Sequence, residues 1–383
     1  MRLLVTGGAG FIGSFLCERF LSAGHQVRVL DNFDPQVHPD GVHHHLPPQV
    51  DLRRGDVRDR AACESAIDGI DVVVHGAAAV GVAQSLYRIE HFVDVNVRGA
   101  ATLLQCVVDR RPPVSKIVVL TSMTAYGEGL YRRGSDGRTL RVGIRSEEQI
   151  GRWGWEPVCP EIYEPLEPIP TPEDAALMAR NIYALTKRSQ EDLALSLGSV
   201  YRIPAACLRL FNVYGPRQSL SNPYSGVLAI FLSRLLAGQP PVVYEDGKQT
   251  RDFVSVHDVA EAIVVAIEST AAEGEVVNIG SGIARSIGEI ARTLARLIGR
   301  PEIEPTITGQ YRRGDVRHCT ADLTRARRLL GFEPKIQWED GLAELIQWAR
   351  ETDSTDRFLQ ADQELRRRAL LAEVPEWPGA CRA

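Results

Sequence analysis

Two side chains that could share a proton, Tyr183 and Lys187, lie four residues apart in the run Tyr-Ala-Leu-Thr-Lys. On a helix this spacing places both on one face, one turn from each other. There a lysine ammonium can lower the pKa of the phenol until the phenolate acts as a base near neutral pH. A surface pair on an ordinary helix is the alternative when the spacing is taken alone. Hydride chemistry at a carbon bearing a hydroxyl therefore also requires a cofactor site.

Glycines near the N-terminus predict that cofactor site. They are spaced three and three, after a short apolar strand and before a helical stretch. In this setting glycines permit a tight turn, close approach of the backbone to a pyrophosphate and close packing of helix on strand. The first N–H groups of the helix can then bind phosphates. A tight turn that holds no ligand is the alternative. The residues predicted to bind a dinucleotide here are Gly7, Gly10, Phe11, Ile12 and Gly13.

The end of the second predicted strand favours NAD over NADP. Asp31 lies there, where a carboxylate can accept hydrogen bonds from the adenosine ribose hydroxyls. A carboxylate also repels a 2′-phosphate, and Asn32 follows it where an NADP site favours arginine. Residues after the third and fourth predicted strands complete the expected cofactor site: Asp56, Val57, Ala77 and Ala78.

These residues need a scaffold of alternating strands and helices, which the first half of the chain supplies. Short apolar runs such as Leu3–Val5 and Val72–His75 alternate with helical stretches. This pattern predicts an α/β fold with a Rossmann-type, doubly wound parallel sheet. Ser122 directly follows the fifth strand, at the edge where such sheets bind ligands. With Tyr183 and Lys187 it makes three groups that could converge on one substrate hydroxyl.

The expected organisation has three parts, whether the chain forms one extended unit or two closely joined domains. Residues 1–211 form the Rossmann domain, with an insertion at 128–180 that is rich in Gly, Pro, Arg, Trp and Glu. Its aromatic residues predict an ordered segment, and loops of this length are usually functional or disordered. Residues 212–350 form a smaller α/β substrate-binding region with strand crossovers, and residues 351–383 form a C-terminal helix and tail.

The composition excludes several classes of function. The 383 residues are 44% hydrophobic and 24% charged with a net charge of −5, so no basic patch for nucleic acid is expected. No apolar run approaches the ~20 residues that cross a bilayer. Seven scattered cysteines fit a reducing compartment, and the immediate first strand indicates no signal peptide. We therefore expect a cytoplasmic protein with no nucleic-acid partner, no membrane partner and no metal.

Taken together, these motifs resemble the extended short-chain dehydrogenase/reductases, specifically the NAD-dependent nucleotide-sugar epimerase/dehydratase family. The stretches that carry the resemblance are Thr6–Gly13, Asp31-Asn32, Asn96, Thr121–Gly127, Tyr183–Lys187, Arg209–Arg217, Arg251–Val254 and Asn278–Gly282. The resemblance implies a catalytic trio of Ser122, Tyr183 and Lys187. It also implies a tightly held NAD, contacted by Asn96 and by the tyrosine and lysine of the trio, and an NDP-sugar bound by the C-terminal half.

The chemistry implied by the resemblance starts when Tyr183 removes the proton of the sugar 4-hydroxyl while a hydride leaves carbon 4 for NAD. Relatives that eliminate water or carbon dioxide carry acidic residues just after the serine. Here Met123 and Thr124 stand there, and neither can do acid–base work near neutral pH. The resemblance therefore favours 4-epimerisation. A UDP-glucuronate-type decarboxylase, an NDP-4-ketosugar reductase and a non-catalytic NAD-binding regulator are the alternatives.

Further stretches resemble one subgroup of the family, the dTDP-L-rhamnose 4-epimerase type. They are Asp34–His38, the 128–180 insertion, Gly215–Gln218 with Ser221–Tyr224, and Gly314–His318. This resemblance implies a dTDP-6-deoxyhexose as substrate and a homodimer formed through helices over 90–109 and 177–197. The forked guanidinium groups of arginine suit phosphate oxygens, so Arg251 and Arg313 are the predicted partners of the substrate pyrophosphate. The residues expected to contact the substrate are Thr124, Asn212, Asn222, Tyr244, Arg251 and Arg313.

Overall fold

The computed structural model describes residues 1–39, 41, 45–224 and 226–376. The first part of the chain folds into β1 (Arg2–Thr6), α1 (Phe11–Ser22), β2 (Gln26–Asp31), β3 (Asp51–Arg54), α2 (Arg60–Ile67), β4 (Val72–His75), α3 (Val82–Ser85), α4 (Ile89–Phe92), α5 (Gly99–Asp109) and β5 (Lys116–Ser122). A π-helical segment, Val93–Arg98, joins α4 to α5. The long helix predicted over residues 90–109 is therefore present.

The insertion and the second half supply the remaining elements. The insertion contains β6 (Leu130–Arg133), β7 (Thr139–Arg141), α6 (Glu147–Trp153) and β8 (Leu166–Ile169). The chain continues through α7 (Ile182–Tyr201), β9 (Ala205–Leu210), β10 (Asn212–Tyr214), α8 (Val227–Leu236), β11 (Val242–Val243), β12 (Thr250–Ser255), α9 (Val256–Glu268), β13 (Val276–Ile279), β14 (Ala284–Ser286) and α10 (Ile287–Leu297). It ends with β15 (Thr306–Ile307), β16 (Gln310–Arg312), β17 (His318–Cys319), α11 (Thr324–Leu330), α12 (Trp338–Glu351), α13 (Phe358–Arg367) and β18 (Leu371–Glu373).

Seven parallel strands form the central sheet, in the order β3-β2-β1-β4-β5-β9-β13. Leu3 and Val5 of β1 pack in one core with residues of α1 and α9. Leu4, which lies between them, packs in a second core with residues of α2 and α5. Alternate side chains of a strand point to opposite faces, so helices cover both faces of the sheet. The predicted doubly wound α/β fold is confirmed.

The strand order reverses between β1 and β4, and ligands of such sheets bind in the crevice at the carboxyl ends of these strands. The glycine loop follows β1 at this point. β13 returns from the second half to pair with β9, as in the pairing of Ile279 with Leu210. A smaller sheet of β10, β12, β14 and β17 lies in the second half. The boundary at 211/212 stays a prediction, and β13 is one of the crossovers expected with it.

The insertion forms a three-stranded antiparallel sheet, β7-β6-β8, that is attached to the second half by buried charges. The Arg317 guanidinium, with no exposed side-chain surface, donates to the Glu245 carboxylate at 2.7 Å and pairs with Glu156 of the insertion. The Glu128 carboxylate accepts the backbone N–H groups of Arg317 at 2.9 Å and His318 at 2.8 Å. The insertion is therefore a fixed part of the molecule.

The C-terminal segment adds structure beyond the predicted helix. After α13, strand β18 pairs antiparallel with β16, so that Leu371 lies opposite Arg312. The predicted tail ends in residues 377–383, which lie outside the described residues. Among the residues that the structure describes, no helix has both the length and the apolar character needed to cross a membrane.

Candidate active site

The structure brings Ser122 and Tyr183 together at the carboxyl edge of the central sheet. Ser122 is the last residue of β5, and Tyr183 is the second residue of α7. Asn181 caps α7 by accepting the N–H of Ala184 at 2.8 Å. The N–H of Tyr183 donates to Ser85 Oγ at 3.1 Å. These two bonds fix where the helix begins and therefore where the phenol lies.

The hydroxyl of Ser122 is oriented by its neighbour Thr124. Ser122 Oγ accepts hydrogen bonds from the Thr124 N–H at 3.3 Å and from Thr124 Oγ1 at 3.0 Å. With its oxygen engaged as an acceptor, the serine proton is available to donate toward a ligand. The Ser122 side chain also interacts with the phenol of Tyr183. Thr124, predicted to contact substrate, thus acts on Ser122, and its direct contact with substrate stays a prediction.

The electrostatics of the pair Tyr183 and Lys187 differ from the prediction. Burial raises the pKa of Tyr183 to about 12, and the hydrogen bond with Ser122 opposes only part of this rise. Burial lowers the pKa of Lys187 to about 7. The Lys187 ammonium donates to Gln190 Oε1 at 2.7 Å and does not bond the phenol. The expected lowering of the phenol pKa by Lys187 is therefore wrong for this arrangement, because burial dominates and the ammonium faces Gln190.

Asn96 makes hydrogen bonds within the protein that the sequence did not predict. It is fully buried, and its Oδ1 accepts the Ala79 N–H at 2.7 Å while its Nδ2 donates to the Ala79 carbonyl and to Thr186 Oγ1. The Thr186 hydroxyl donates in turn to the carbonyl of Tyr183 at 2.8 Å. Asn96 therefore joins the loop after β4 to α7 and positions the tyrosine. A contact between Asn96 and the cofactor stays a prediction.

A second buried polar group, His75, lies behind Lys187. Its Nδ1 is bonded to Thr6 Oγ1 at 2.8 Å, and its Nε2 lies 3.3 Å from Gln190 Nε2. Burial and the charge of Lys187 lower the pKa of His75 to about 3. The imidazole is therefore neutral at physiological pH. This chain of side chains fixes Gln190 and, through it, the position of the lysine.

The glycine loop fits a dinucleotide. A Cβ on Gly13 would lie 2.4 Å from the Gly7 carbonyl oxygen, and a Cβ on Gly7 would lie 2.9 Å from Ala77 Cα, so packing alone requires both glycines. A Cβ on Gly10 would meet only the Gly7 oxygen, at 3.3 Å. Gly10 therefore keeps open the space in front of α1, whose N-terminus has no side-chain cap. An open helix N-terminus beside a glycine is what a pyrophosphate requires. Phe11 and Ile12 form the first turn of this helix.

Asp31 supports the loop and remains able to bind ribose. Its Oδ2 accepts the Ala9 N–H at 3.0 Å, and its Oδ1 accepts the Phe33 N–H at 2.9 Å. Each carboxylate oxygen can accept a second hydrogen bond. The carboxylate thus lies between the glycine loop and the end of β2, as an NAD ribose requires. Its remaining acceptor capacity and its position fit NAD, whose ribose hydroxyls would donate to this carboxylate.

The other predicted cofactor residues lie at the same sheet edge. Asn32 donates to Asp56 at 2.9 Å, and Arg58 pairs with the same carboxylate at 2.7 Å. Hydrogen bonds from Arg58 hold the pKa of Asp56 well below its usual range although burial opposes this. Val57 is buried, whereas Ala77 and Ala78, which follow β4, are half-buried. Contacts of these residues with the adenine or the middle of the cofactor stay predictions.

Two of the predicted substrate residues, Asn212 and Asn222, differ in whether the protein itself supplies a hydrogen-bond partner for the side-chain oxygen. Asn212 Oδ1 is buried and has no hydrogen-bond partner among the described residues. A buried acceptor in this state costs free energy unless a ligand or water supplies a donor. Asn222, in contrast, accepts the Tyr224 N–H at 3.0 Å and fixes its own loop. The structure thus favours Asn212 as a ligand contact.

The other three predicted substrate residues are bonded within the protein. Tyr244 donates to Asp362 of α13 at 2.8 Å. Arg251 donates to the carbonyls of Val316 and Arg317, at 2.6 Å and 3.1 Å, so it holds the segment after β16. Arg313 pairs with Glu147 of α6 in the insertion. Their contacts with a substrate pyrophosphate or base stay predictions.

Sequence reasoning missed a cavity that lies beside the N-terminus of α7. Residues Val82, Ala83, Leu86, Arg180, Asn181, Arg312, Arg313, Gly314, Asp315, Leu365 and Leu370 line it. Arg312 pairs with Asp315 at 2.7 Å within this lining. In the run Arg-Arg-Gly-Asp, Arg313 was predicted to contact a pyrophosphate, since guanidinium groups suit phosphates, but its neighbours in the lining were not predicted. The two leucines come from the C-terminal segment and carry no sequence signal for a ligand.

Several stretches that carried the family resemblance serve the scaffold. Arg209 forms a buried pair with Glu191 of α7 and lies over the ring of Tyr126 at 4.8 Å. The Tyr126 hydroxyl donates to Asn278 at 2.7 Å. Asp252 accepts N–H groups of the segment after β13, including that of Ser281 at 2.6 Å. These bonds join α7 and the smaller sheet to the catalytic edge of the central sheet.

Comparison with known proteins agrees with this geometry. The profile of the NAD dependent epimerase/dehydratase family matches residues 3–141 and 158–280. The dTDP-L-rhamnose 4-epimerase of Burkholderia thailandensis is 36% identical over 361 residues, which is 92% of this chain and 96% of that relative. The UDP-N-acetyl-alpha-D-glucosaminuronate decarboxylase of Bacillus cytotoxicus is 30% identical over 92% of this chain and 99% of the relative.

A solved structure extends the likeness to three dimensions. The UDP-glucose 4-epimerase of Thermotoga maritima, solved with UDP-glucose, superposes with a TM-score of 0.76 at 29% identity, covering 92% of this chain and 99% of that one. The family profile covers well over half of the chain, including the glycine loop, Ser122 and the Tyr183–Lys187 helix. The protein is therefore an enzyme of the NAD dependent epimerase/dehydratase family, the nucleotide-sugar branch of the extended short-chain dehydrogenase/reductases, and NAD is its cofactor.

Proposed function

We propose that the protein is an NDP-sugar 4-epimerase that acts on a dTDP-6-deoxyhexose such as dTDP-L-rhamnose. One observation carries the choice of reaction. The hydroxyls of Ser122 and Tyr183 are adjacent, and the two residues after the serine provide no acid or base. Met123 is buried in an apolar cluster, and Thr124 is bonded to Ser122. Elimination of water needs such a group to protonate the leaving hydroxyl.

The residues of the site have distinct roles in this proposal. NAD, when bound, supplies a reversible acceptor for the hydride of the sugar carbon. Tyr183 acts as the base in its phenolate form, which is scarce in the free protein because burial raises the pKa of the phenol to about 12. Next to the positive charge of bound NAD this form would be favoured, and the phenolate would then remove the proton of the 4-hydroxyl and return it at the end of the reaction. Ser122 donates a hydrogen bond to the same oxygen, which stabilises the carbonyl of the 4-keto sugar. Lys187 would hold the cofactor ribose through its amino group, which is only partly charged at neutral pH because burial lowers its pKa to about 7. Asn212 offers its unpaired oxygen to a substrate donor.

The choice of substrate rests on similarity. The relative from B. thailandensis acts on dTDP-L-rhamnose and is more similar to this chain than the decarboxylase from B. cytotoxicus. Decarboxylation of a UDP-linked uronate is the second candidate, because that decarboxylase is 30% identical over nearly its whole length. The absence of an acidic residue at positions 123 and 124 argues against it. A ketosugar reductase is disfavoured by Asp31, which suits NAD rather than NADPH.

The proposal is tested by incubating the purified protein with dTDP-L-rhamnose, without added cofactor, and following the sugar by NMR. We expect a second set of anomeric signals that grows to a constant ratio with the first, because hydride removed from the substrate returns to it. Unchanged spectra would remove this substrate. Release of carbon dioxide from a UDP-linked uronate would establish decarboxylation instead.

A homodimer is part of the same proposal, as is residence in the cytoplasm. Three large apolar side chains on adjacent helices are exposed: Ile89 by 51%, Val93 by 44% and Leu185 by 45%. Such a surface is suited to a second copy of the chain. We expect light scattering to give a dimer for the wild type and a monomer for Leu185→Glu. Ile162→Glu, which changes an exposed residue of the insertion, should leave the dimer intact. A monomeric wild type would contradict the prediction.

A further inference from the structure

Two short segments of the chain lead directly to the hydroxyls of the site. The serine segment, residues 123–129, follows Ser122 and contains Thr124, whose hydroxyl donates to Ser122 Oγ at 3.0 Å. The tyrosine segment, residues 176–181, precedes α7 and ends at the residue that caps this helix, so it sets the position of Tyr183. The distance between the two hydroxyls therefore depends on how these segments are held against each other.

The two segments are in direct contact. Gly127 of the serine segment has a φ of +67°, and a Cβ on it would lie 2.4 Å from the Met178 carbonyl oxygen of the tyrosine segment. Glycine is therefore required at this crossing, both for its backbone conformation and for space. The N–H of Met178 donates to the Tyr126 carbonyl at 3.2 Å. The two backbones thus approach closely enough for one side chain to bond both.

A guanidinium from the insertion makes these bonds. Arg141, the last residue of β7, donates through Nη2 to the Tyr126 carbonyl. Its Nη1 donates to the carbonyls of Glu128 and Gly129, the second at 2.6 Å. Its Nε donates to the Ala176 carbonyl at 2.9 Å. Three acceptors of this one side chain therefore lie on the serine segment, and the fourth lies on the tyrosine segment.

The shape of the guanidinium suits it to hold two backbones in one arrangement. The group is planar and presents five N–H donors in a fixed fork. Within the part of the chain that the structure describes, Arg141 forms no ion pair, and its fork is directed at main-chain carbonyls. A rigid plane bonded on two sides keeps the segments at one separation. A lysine ammonium, whose donors all lie at one point of a flexible stem, could not bond all four oxygens.

We propose that Arg141 is a positioning residue for the reaction, whose fork locks the serine segment to the tyrosine segment and thereby fixes the hydroxyls of Ser122 and Tyr183 relative to each other. This inference rests on the proposed function for the roles of those two hydroxyls. It gives the insertion a part in the chemistry, which it exerts through the backbone on either side of the site.

The kinetic test replaces Arg141 in the full chain with bound NAD. Arg141→Met removes every donor, whereas Arg141→Lys keeps the charge without the fork. In both variants we expect kcat to fall about 10–100-fold, because a misplacement of about 1 Å is enough for such a loss. KM should stay within about twofold of the wild type, since the lock acts on the reacting groups and not on substrate binding. The control is Arg132→Met in the same small sheet, where a 53% exposed side chain pairs with Glu167 at 2.9 Å, and its kcat should equal that of the wild type.

Amide hydrogen exchange, followed by mass spectrometry, tests the lock without turnover. In Arg141→Lys we expect faster exchange in peptides that cover the two segments, while peptides of the distant helix α12 and the melting temperature stay near the wild type. Unchanged exchange in both segments, or a wild-type kcat in Arg141→Lys, would overturn the inference. Faster exchange throughout the chain would show a merely structural role and would also overturn it. A wild type that converts no sugar would overturn the proposed function, and hydrogen exchange would then decide the lock by itself.

Discussion

Replacement of Tyr183 by phenylalanine is expected to lower kcat by a factor of about 10²–10⁴, the usual contribution of a positioned acid–base group. The substitution removes only the hydroxyl, while the bonds that fix the residue are made by backbone groups and by the cap at Asn181. The fold and the affinity for dTDP should therefore be retained. The measurement is the rate of sugar conversion by NMR at saturating substrate.

A matched control is available at the other end of the same helix. Tyr201→Phe removes a hydroxyl from a residue of α7 that is 56% exposed, and its kcat should equal that of the wild type. Activity of Tyr183→Phe within about twofold of the wild type would contradict the assignment of the base. Because burial raises the pKa of Tyr183 to about 12, the phenol of the free protein carries its proton at neutral pH.

Removal of the Arg317 charge should have the largest effect on stability. Arg317→Met removes one of the two guanidinium groups that pair with Glu245 and also removes the guanidinium that pairs with Asp246 at 2.7 Å. Uncompensated buried charges of this kind cost about 3–5 kcal/mol in the free energy of unfolding. Urea denaturation at pH 7 measures the loss. The control is Arg327→Met, which breaks an exposed 2.6 Å pair with Glu333 and should cost at most about 1 kcal/mol. Equal losses in the two variants would contradict the prediction.

The same cluster predicts a response to acid. Burial of the Glu156 carboxyl would by itself raise its pKa. Hydrogen bonds from His318 and Arg317 outweigh this effect and lower the pKa to about 2. A folded-state pKa below the unfolded value near 4.5 means that this contribution to stability is complete above pH 4.5 and is lost as the pH falls toward 2. In Arg317→Met the bonds from the arginine are missing and only that from His318 remains, so the acid-dependent part of the loss should be smaller.

The order of apolar runs and turns along the sequence predicted the central sheet and the edge at which it binds ligands, because each strand and turn is encoded by residues close together in the chain. Asp31 shows this well, since its place at the end of β2 follows from one apolar run. The expected effect of Lys187 on Tyr183 failed for the opposite reason. The partner of the lysine is Gln190, and burial of the phenol depends on the whole fold, so neither can be read from a four-residue spacing.

The attachment of the insertion and the burial of Leu365 in α13 were also beyond local pattern. Glu128 and Arg317 are 189 residues apart, and nothing near either one marks the other as its partner. Leu365 lies in a charged helix whose sequence indicates an exposed surface segment, yet it is 5% exposed. Such contacts arise only when distant elements meet, and they require the three-dimensional structure.

The attachment of the insertion to residues near 317 has a consequence for synthesis of the protein. Chains grow from the N-terminus, so the insertion leaves the ribosome long before the segment around Arg317, which supplies the N–H groups bound by Glu128 and the guanidinium paired with Glu156. Until then Glu128 lacks these backbone donors and Glu156 lacks its guanidinium partner. In a chain truncated before Arg317 the insertion would thus be held less firmly, and we expect proteases to cleave residues 128–180 faster than in the full chain.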